Sequence, residues 1–183
     1  MSENKNKVAI VTGAAKNIGR ATCDSLSKLG YNILVHANSD KDGADETIKI
    51  IQKNNISTSR IIGDLTKPET SKELIFEASK LGDISVLVNN ASQREFNKFE
   101  DMTFDEWRFV MSINLDALFH TCKAVLPEMK KSNWGRIVNL GGLSAHISAI
   151  GRAHVITSKT AVVGFTRALS ILESSKREKT IKI

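Results

Sequence analysis

Thr12-Gly13-Ala14-Ala15-Lys16-Asn17-Ile18-Gly19 is the stretch on which the fold turns. Four apolar residues, Val8-Ala9-Ile10-Val11, run into it. A segment with apolar residues at Ile18, Ala21, Leu26 and Leu29 leaves it and stops at Gly30. An uninterrupted apolar run is the mark of a strand buried on both faces. Apolar spacing closed by a glycine is that of a helix. The quoted residues therefore form a strand-to-helix turn. Gly13 permits the tight bend, a small loop residue lets backbone approach a pyrophosphate, and Gly19 lets the helix pack close to the strand. The first N–H groups of the helix are then open to phosphates.

The same alternation continues outward. Ile33-Leu34-Val35 reads as a second strand, and Ala44, Ile48 and Ile51 mark a second helix. Ser59-Arg60-Ile61-Ile62 is a third strand. Thr66-Lys67-Pro68-Glu69 has capping-box spacing before a helix carrying Leu74, Ile75, Ala78 and Leu81. Val86-Leu87-Val88 is a fourth strand. Thr103-Phe104-Asp105-Glu106 is a second capping box, opening a long helix to about Lys130, with Pro127 placed to kink or end it. Arg136-Ile137-Val138-Asn139-Leu140 is a fifth strand, residues 158–175 are helical, and Thr180-Ile181-Lys182-Ile183 begins a sixth strand. Strands alternating with helices of this length predict βαβ units in a doubly wound parallel sheet, a three-layer αβα Rossmann fold. Ligands of such sheets bind beyond the carboxyl ends of the strands.

Composition sets the remaining bounds. The chain has 183 residues, 41% hydrophobic and 25% charged, the balance of one ordinary globular domain. The longest apolar runs are too short to span a bilayer, so no membrane partner is expected. The first seven residues carry no apolar segment of the kind found in a secretory leader. There are two cysteines, Cys23 and Cys122, without metal-ligand spacing, so no metal site is expected and a reducing cytoplasm is the expected location. The net charge is +6, but acids lie between the basic residues. The densest stretch, Lys176-Arg177-Glu178-Lys179, has no aromatic residue beside it. A solvated surface fits better than a nucleic-acid partner.

With these marks in order, the chain resembles the short-chain dehydrogenase/reductase family in its single-domain form. The opening loop is similar to the family's Thr-Gly-x-x-x-Gly-x-Gly, with Asn17 at the second glycine position; asparagine tolerates a left-handed backbone better than most residues. Gly63-Asp64-Leu65 follows strand three, where the family's aspartate position touches adenine. Asn89-Asn90-Ala91-Ser92 resembles Asn-Asn-Ala-Gly. Ile113-Asn114-Leu115 lies where the family keeps an asparagine that supports a proton-relay water. Ser158-Lys159-Thr160-Ala161 resembles the family's Ser-Lys-Ala. The resemblance runs from Lys7 to about Ser170. It implies a nicotinamide cofactor held by Gly13, Lys16, Asn17, Ile18, Gly19, Asn38, Asp64, Leu65, Asn90, Ala91 and Lys159. Lys16 stands where NADPH-using relatives often place a basic residue. Strand two ends His36-Ala37-Asn38-Ser39 with no acid for a free ribose, Asp40 coming a few residues late. NADP is thus expected over NAD. The family also implies a small-molecule substrate and a homo-oligomer built through the long helix and the one after Lys159.

The resemblance breaks at the proton relay. The family's tyrosine lies four residues before the lysine; here that position is Val155, and the single tyrosine of the chain is Tyr31. The family's serine position is Gly142. Of the relay, Asn114 and Lys159 remain. Ser144, His146 and His154 are candidate substitutes, His154 foremost because it is adjacent to Val155 and an imidazole is a general acid near neutral pH. Against it, a one-residue shift turns the side chain by about 100 degrees, and the competing reading is histidines that fill loop and surface. The family continues past strand six into a substrate lid, so the single domain over 1–183 is expected to be incomplete at its C-terminus. The expected function is an NADP-dependent oxidoreductase acting on a carbonyl or hydroxyl substrate, with loop and strand-two residues resembling 3-oxoacyl-carrier-protein reductases. The alternative is a non-catalytic nucleotide-binding protein or inactive fragment that has lost the serine and tyrosine.

Overall fold

The computed structural model describes Asn4, residues 6–174 and residues 181–183, apart from the side chains of Ser144 and residues 172–174. The basic stretch Lys176-Arg177-Glu178-Lys179, the expected helix end at Ser175, Thr180, most of the N-terminal heptad and the candidate hydroxyl of Ser144 lie outside that description.

The strands are β1 (Lys7–Val11), β2 (Asn32–Ala37), β3 (Thr58–Ile62), β4 (Asp83–Asn89), β5 (Gly135–Asn139) and β6 (Ile181–Lys182). They form one sheet in the order β3-β2-β1-β4-β5-β6. Every pairing is parallel, with Ala9 opposite Ile33 on one side and Val86 on the other. The helices are α1 (Asn17–Lys28), α2 (Lys41–Ile51), α3 (Pro68–Ser79), α4 (Phe104–Met111), α5 (Ala117–Lys131) and α6 (Ala153–Ser174).

Side chains alternate across a strand, so β1 feeds two cores. Val8 and Ile10 point to one face, where they meet Leu74 and Ala78 of α3, Val125 and Met129 of α5, and Phe165 of α6. Ala9 and Val11 point to the other, where they meet Cys23 of α1 and Ala44 and Ile51 of α2. These four residues of β1 are fully buried. Burial of each Val or Ile side chain contributes about 1.5–3 kcal/mol. A parallel sheet covered on both faces follows from the continuous apolar run, and the three-layer αβα Rossmann expectation holds.

Local corrections have physical reasons. Thr66 does not cap α3: Lys67 is the N-cap, with extended backbone and no side-chain cap, and Pro68 opens the helix. Proline disfavours helical backbone in the residue before it and fits the first helical position. Thr66 instead donates its N–H and its hydroxyl to Asp64, at 2.9 and 2.8 Å. The second capping box is present as expected: Thr103 caps Glu106 N–H and Glu106 reaches back. Pro127 lies inside α5 without ending it. Helix α6 begins at Ala153, five residues before the expected start, because the Arg152 carbonyl already accepts the Ile156 N–H at 2.8 Å. Between α4 and α5 the chain makes a π-helical turn, Ser112–Asp116. Taken together, Phe104–Lys131 is a helix long and apolar enough to cross a membrane by length and composition, although no uninterrupted apolar run is. Its inward residues Val125 and Met129 belong to the core beneath the sheet.

Candidate functional site

The carboxyl ends of β1, β2, β4 and β5 open onto a cleft of about 610 Å3. The first wall is the loop after β1. Its turn needs left-handed backbone at Gly13 (φ +62°) and at Asn17 (φ +50°), so asparagine does occupy that geometry at the second glycine position. Four successive carbonyls of the loop are taken by side chains. Asn90 Nδ2 donates to Thr12 O and Gly13 O at 3.0 and 2.9 Å. The Thr47 hydroxyl donates to Ala14 O at 2.9 Å, and Arg20 donates to Ala15 O. The partial negative charges of these groups are thereby satisfied within the protein. Helix α1 has no side-chain cap on its first turn, and Lys16, Asn17 and Ile18 line the cleft. An uncapped helix N-terminus favours an anion.

Gly19 does not line the cleft. A Cβ there would strike the Gly13 carbonyl and come within 2.7 Å of Asn90 Nδ2. It is the close-approach point that lets α1 lie against the loop.

Asn38, Asn90, Ala91 and Lys159 line the same cleft. Asp64 and Leu65 line an adjoining cavity of about 150 Å3, which shares Gly13, Asn38 and Ala91 with the main cleft. Asp40 also lines the cleft, but its carboxylate accepts Gly43 N–H at 2.9 Å and caps α2.

Lys159 is 6% exposed and donates to Leu140 O at 2.8 Å. Burial, helped by the nearby Arg94 guanidinium, lowers its pKa to about 8. Asn114 sits on the π turn, 1% exposed. Its Oδ1 accepts Gln93 N–H at 2.8 Å, and its Nδ2 donates to Gln93 O at 3.1 Å and to Ser158 Oγ at 2.9 Å. Asn114 therefore grips the loop after β4 and fixes the start of α6, and it does not itself line the cleft. Val155 is buried. Gly142 lines the cleft and carries no side-chain donor.

His154, the foremost substitute acid, is placed differently from the expectation. It is fully buried, lines neither cavity, and neither ring nitrogen has a partner among the described residues. Desolvation lowers its pKa, with Glu95 acting against that shift. The one-residue offset from Val155 turns it about 100 degrees around the helix. His146 is exposed on the loop beyond Gly142.

Sequence reasoning passed over three contributors. Thr12 Oγ1 accepts the N–H groups of Asn90 and Ala91, both at 3.0 Å, tying β1 to β4. His36 Nδ1 accepts Gly13 N–H at 3.3 Å, and its Nε2–H donates to Gly63 O at 2.9 Å, a tautomer fixed by those partners. Arg94 lines the cleft beside Lys159. The signal available for each was its position at or just past a strand's carboxyl end.

A family model for the short chain dehydrogenase matches residues 7–182. The chain belongs to the short-chain dehydrogenase family. Within that family it is 33% identical over 163 residues to the 3-oxoacyl-(acyl-carrier-protein) reductase FabG of Staphylococcus epidermidis, covering 88% of this chain and 67% of that protein. It is 30% identical over 176 residues to the D-beta-hydroxybutyrate dehydrogenase of Rhizobium meliloti, covering 92% and 67%. The crystal structure of acetoin dehydrogenase from Enterobacter cloacae superposes with a TM-score of 0.88 at 28% identity, over 93% of this chain and 68% of that one. This short-chain dehydrogenase sequence thus spans about two thirds of the length of these relatives.

Proposed function

We propose that this chain is an NADP-dependent oxidoreductase that interconverts a carbonyl and a hydroxyl on a small molecule, in the manner of 3-oxoacyl reductases. The observation that carries the cofactor choice is the charge around the loop after β1. Lys16 lines the cleft, and the one acid near the end of β2, Asp40, is held as the cap of α2. A lysine is a point charge for a ribose phosphate.

The cleft's volume is that of an ordinary cofactor pocket. In this reading Gly13, Asn17 and Ile18 cradle the phosphates, with Gly19 letting α1 approach. Asn38, Asp64 and Leu65 surround the adenine half, Asn90 and Ala91 flank the middle, and Lys159 holds the nicotinamide ribose. A bound nicotinamide cofactor supplies or accepts hydride. Lys159 and Asn114 are the relay members this chain retains, Asn114 acting by position. An imidazole that is buried, lines neither cavity and has no partner among the described residues argues against His154 as the acid. The relatives named 3-oxoacyl reductase and hydroxybutyrate dehydrogenase support the carbonyl/hydroxyl class. A single NAD(P)-binding domain over 1–183, a cytoplasmic location and a homo-oligomer belong to the same reading.

A second reading is favoured by Val155 and Gly142, which leave no hydroxyl at two relay positions: a protein that binds the dinucleotide without turning it over. Titration with NADPH and NADH, followed by a ketone-reduction assay, separates the readings. Tighter NADPH binding, with the gap narrowed in Lys16→Ala, supports the NADP assignment. Equal affinities or a preference for NADH overturn it. Tight NADPH binding without turnover favours the second reading.

A further inference from the structure

The cleft carries a second positive centre besides Lys16. Arg94 follows β4, so β1 separates it from Asp40 at the end of β2. It lines the cleft, its charge acts on Lys159, and its guanidinium forms no ion pair among the described residues.

The loop that displays it is held at successive points. Asn114 grips both the N–H and the carbonyl of Gln93. Arg152 donates to the Arg94 carbonyl. The Asn97 N–H donates to Gly151 O at 3.0 Å, and Asn97 Nδ2 to Glu106 at 2.8 Å. The backbone of Arg94 is thus fixed while its guanidinium stays free. Gly142, which also lines the cleft, offers no hydroxyl to a substrate. Arg94 and Lys159 are the cationic side chains that line the cleft besides Lys16, with the neutral Ser92 and Gln93 next to Arg94 in the chain.

We infer that Arg94 selects a substrate bearing a carboxylate, so that the protein acts on an oxo or hydroxy acid, while Lys159 stays with the cofactor ribose. A guanidinium fork matches a carboxylate in a bidentate pair. The inference rests on the dinucleotide reading of the cleft, since it needs Lys16 and the loop after β1 to take the cofactor and leave the Arg94 end to substrate.

The test uses two non-reducible probes of nearly equal shape, 3-methylbutanoate and 3-methylbutanamide, on the NADPH-saturated protein. NADPH affinity is measured first, on the wild type and on Arg94→Gln. The acid is expected to bind at least about tenfold more tightly than the amide, as a charge-assisted pair gives. Arg94→Gln is expected to remove that gap while leaving NADPH affinity unchanged, and Arg94→Lys to keep part of it. Added KCl is expected to narrow it. Equal binding of acid and amide by the wild type overturns the inference. So does an Arg94→Gln variant that loses NADPH affinity as steeply as acid affinity, because the arginine then grips the cofactor. Failure of NADPH to bind the wild type overturns the dinucleotide reading, and this inference with it, at the first measurement.

Discussion

The N–H of Gly13 donates to the imidazole Nδ1 of His36 at 3.3 Å, and the opposite nitrogen donates to Gly63 O at 2.9 Å. One buried ring therefore joins the loops after β1 and β3. Burial holds the His36 pKa below its ordinary value of 6.5, against the pull of the Gly63 carbonyl and the Asp64 carboxylate. As pH falls below 6.5, the unfolded chain takes up the proton before the folded one does. Stability is then full above 6.5 and declines as pH falls towards the folded value. A protonated Nδ1 also loses its capacity to accept Gly13 N–H. Denaturation midpoints from pH 7.5 to 5.5 are expected to fall, and to fall less in His36→Gln. Because the His154 shift has the same sign, the comparison belongs in a His154→Leu background. Equal slopes with and without the His36 imidazole overturn this account.

His154 makes a prediction of opposite character. Two ring nitrogens buried without partners among the described residues carry an uncompensated desolvation cost, of about 1–3 kcal/mol for such groups. His154→Leu keeps most of the volume and removes that cost. It is expected to leave stability equal or raise it by about 1 kcal/mol, with NADPH affinity unchanged. A large loss of turnover with intact folding would return His154 to the role of proton donor.

Gly19→Val tests the packing of α1 on the loop. The new side chain meets the Gly13 carbonyl and the Asn90 amide, which hydrogen-bond to each other just past the ends of β1 and β4. Overpacking of this kind costs about 1–3 kcal/mol, and displacement of the loop is expected to weaken NADPH as well. An unchanged denaturation curve together with unchanged NADPH affinity counts against this geometry.

Restoring the relay is the fourth test. Val155→Tyr with Gly142→Ser is expected to raise ketone reduction, within the range of about 10²–10⁴-fold that general acid catalysis contributes. The two sites differ in tolerance. A Cβ at Gly142 meets no atom of the described residues within 4 Å, though its φ of +80° strains any side chain. Val155 is 2% exposed, so the larger ring is expected to lower the denaturation midpoint. Progress curves on a simple ketone, normalised to folded protein, give the answer. No gain in a folded double variant shows that the missing hydroxyls are not the limiting lack.

The sheet was legible because its evidence is local. Val8-Ala9-Ile10-Val11 and Val86-Leu87-Val88 announce buried strands in the letters themselves, and Thr103 with Glu106 announces a helix start. The loop after β1 was legible for the same reason, including the left-handed Asn17. The Thr66 capping box failed because Pro68, two residues on, imposed a stronger local rule. The site was less legible because its bonds join distant segments. Asn114 grips Gln93 from 21 positions away, and His36 reaches Gly13 from 23. No spacing rule encodes such pairs. The one-residue offset of His154 from Val155 signalled a ring turned about 100 degrees from the relay position, but not its full burial outside the cleft.

The strand order also governs how the chain acquires its shape. β1 leaves the ribosome first yet sits mid-sheet, between β2 and β4. Its β2 edge can pair soon after synthesis, whereas its other edge waits for Asp83–Asn89. During that interval Val8, Ala9, Ile10 and Val11 present an unpaired apolar edge, the kind of surface on which nascent chains associate wrongly. A chain halted before β4 would carry that edge permanently. Thr12 closes the interval when its hydroxyl accepts the amides of Asn90 and Ala91, so completion of the central sheet and assembly of the loop above it are one event in the life of the nascent polypeptide.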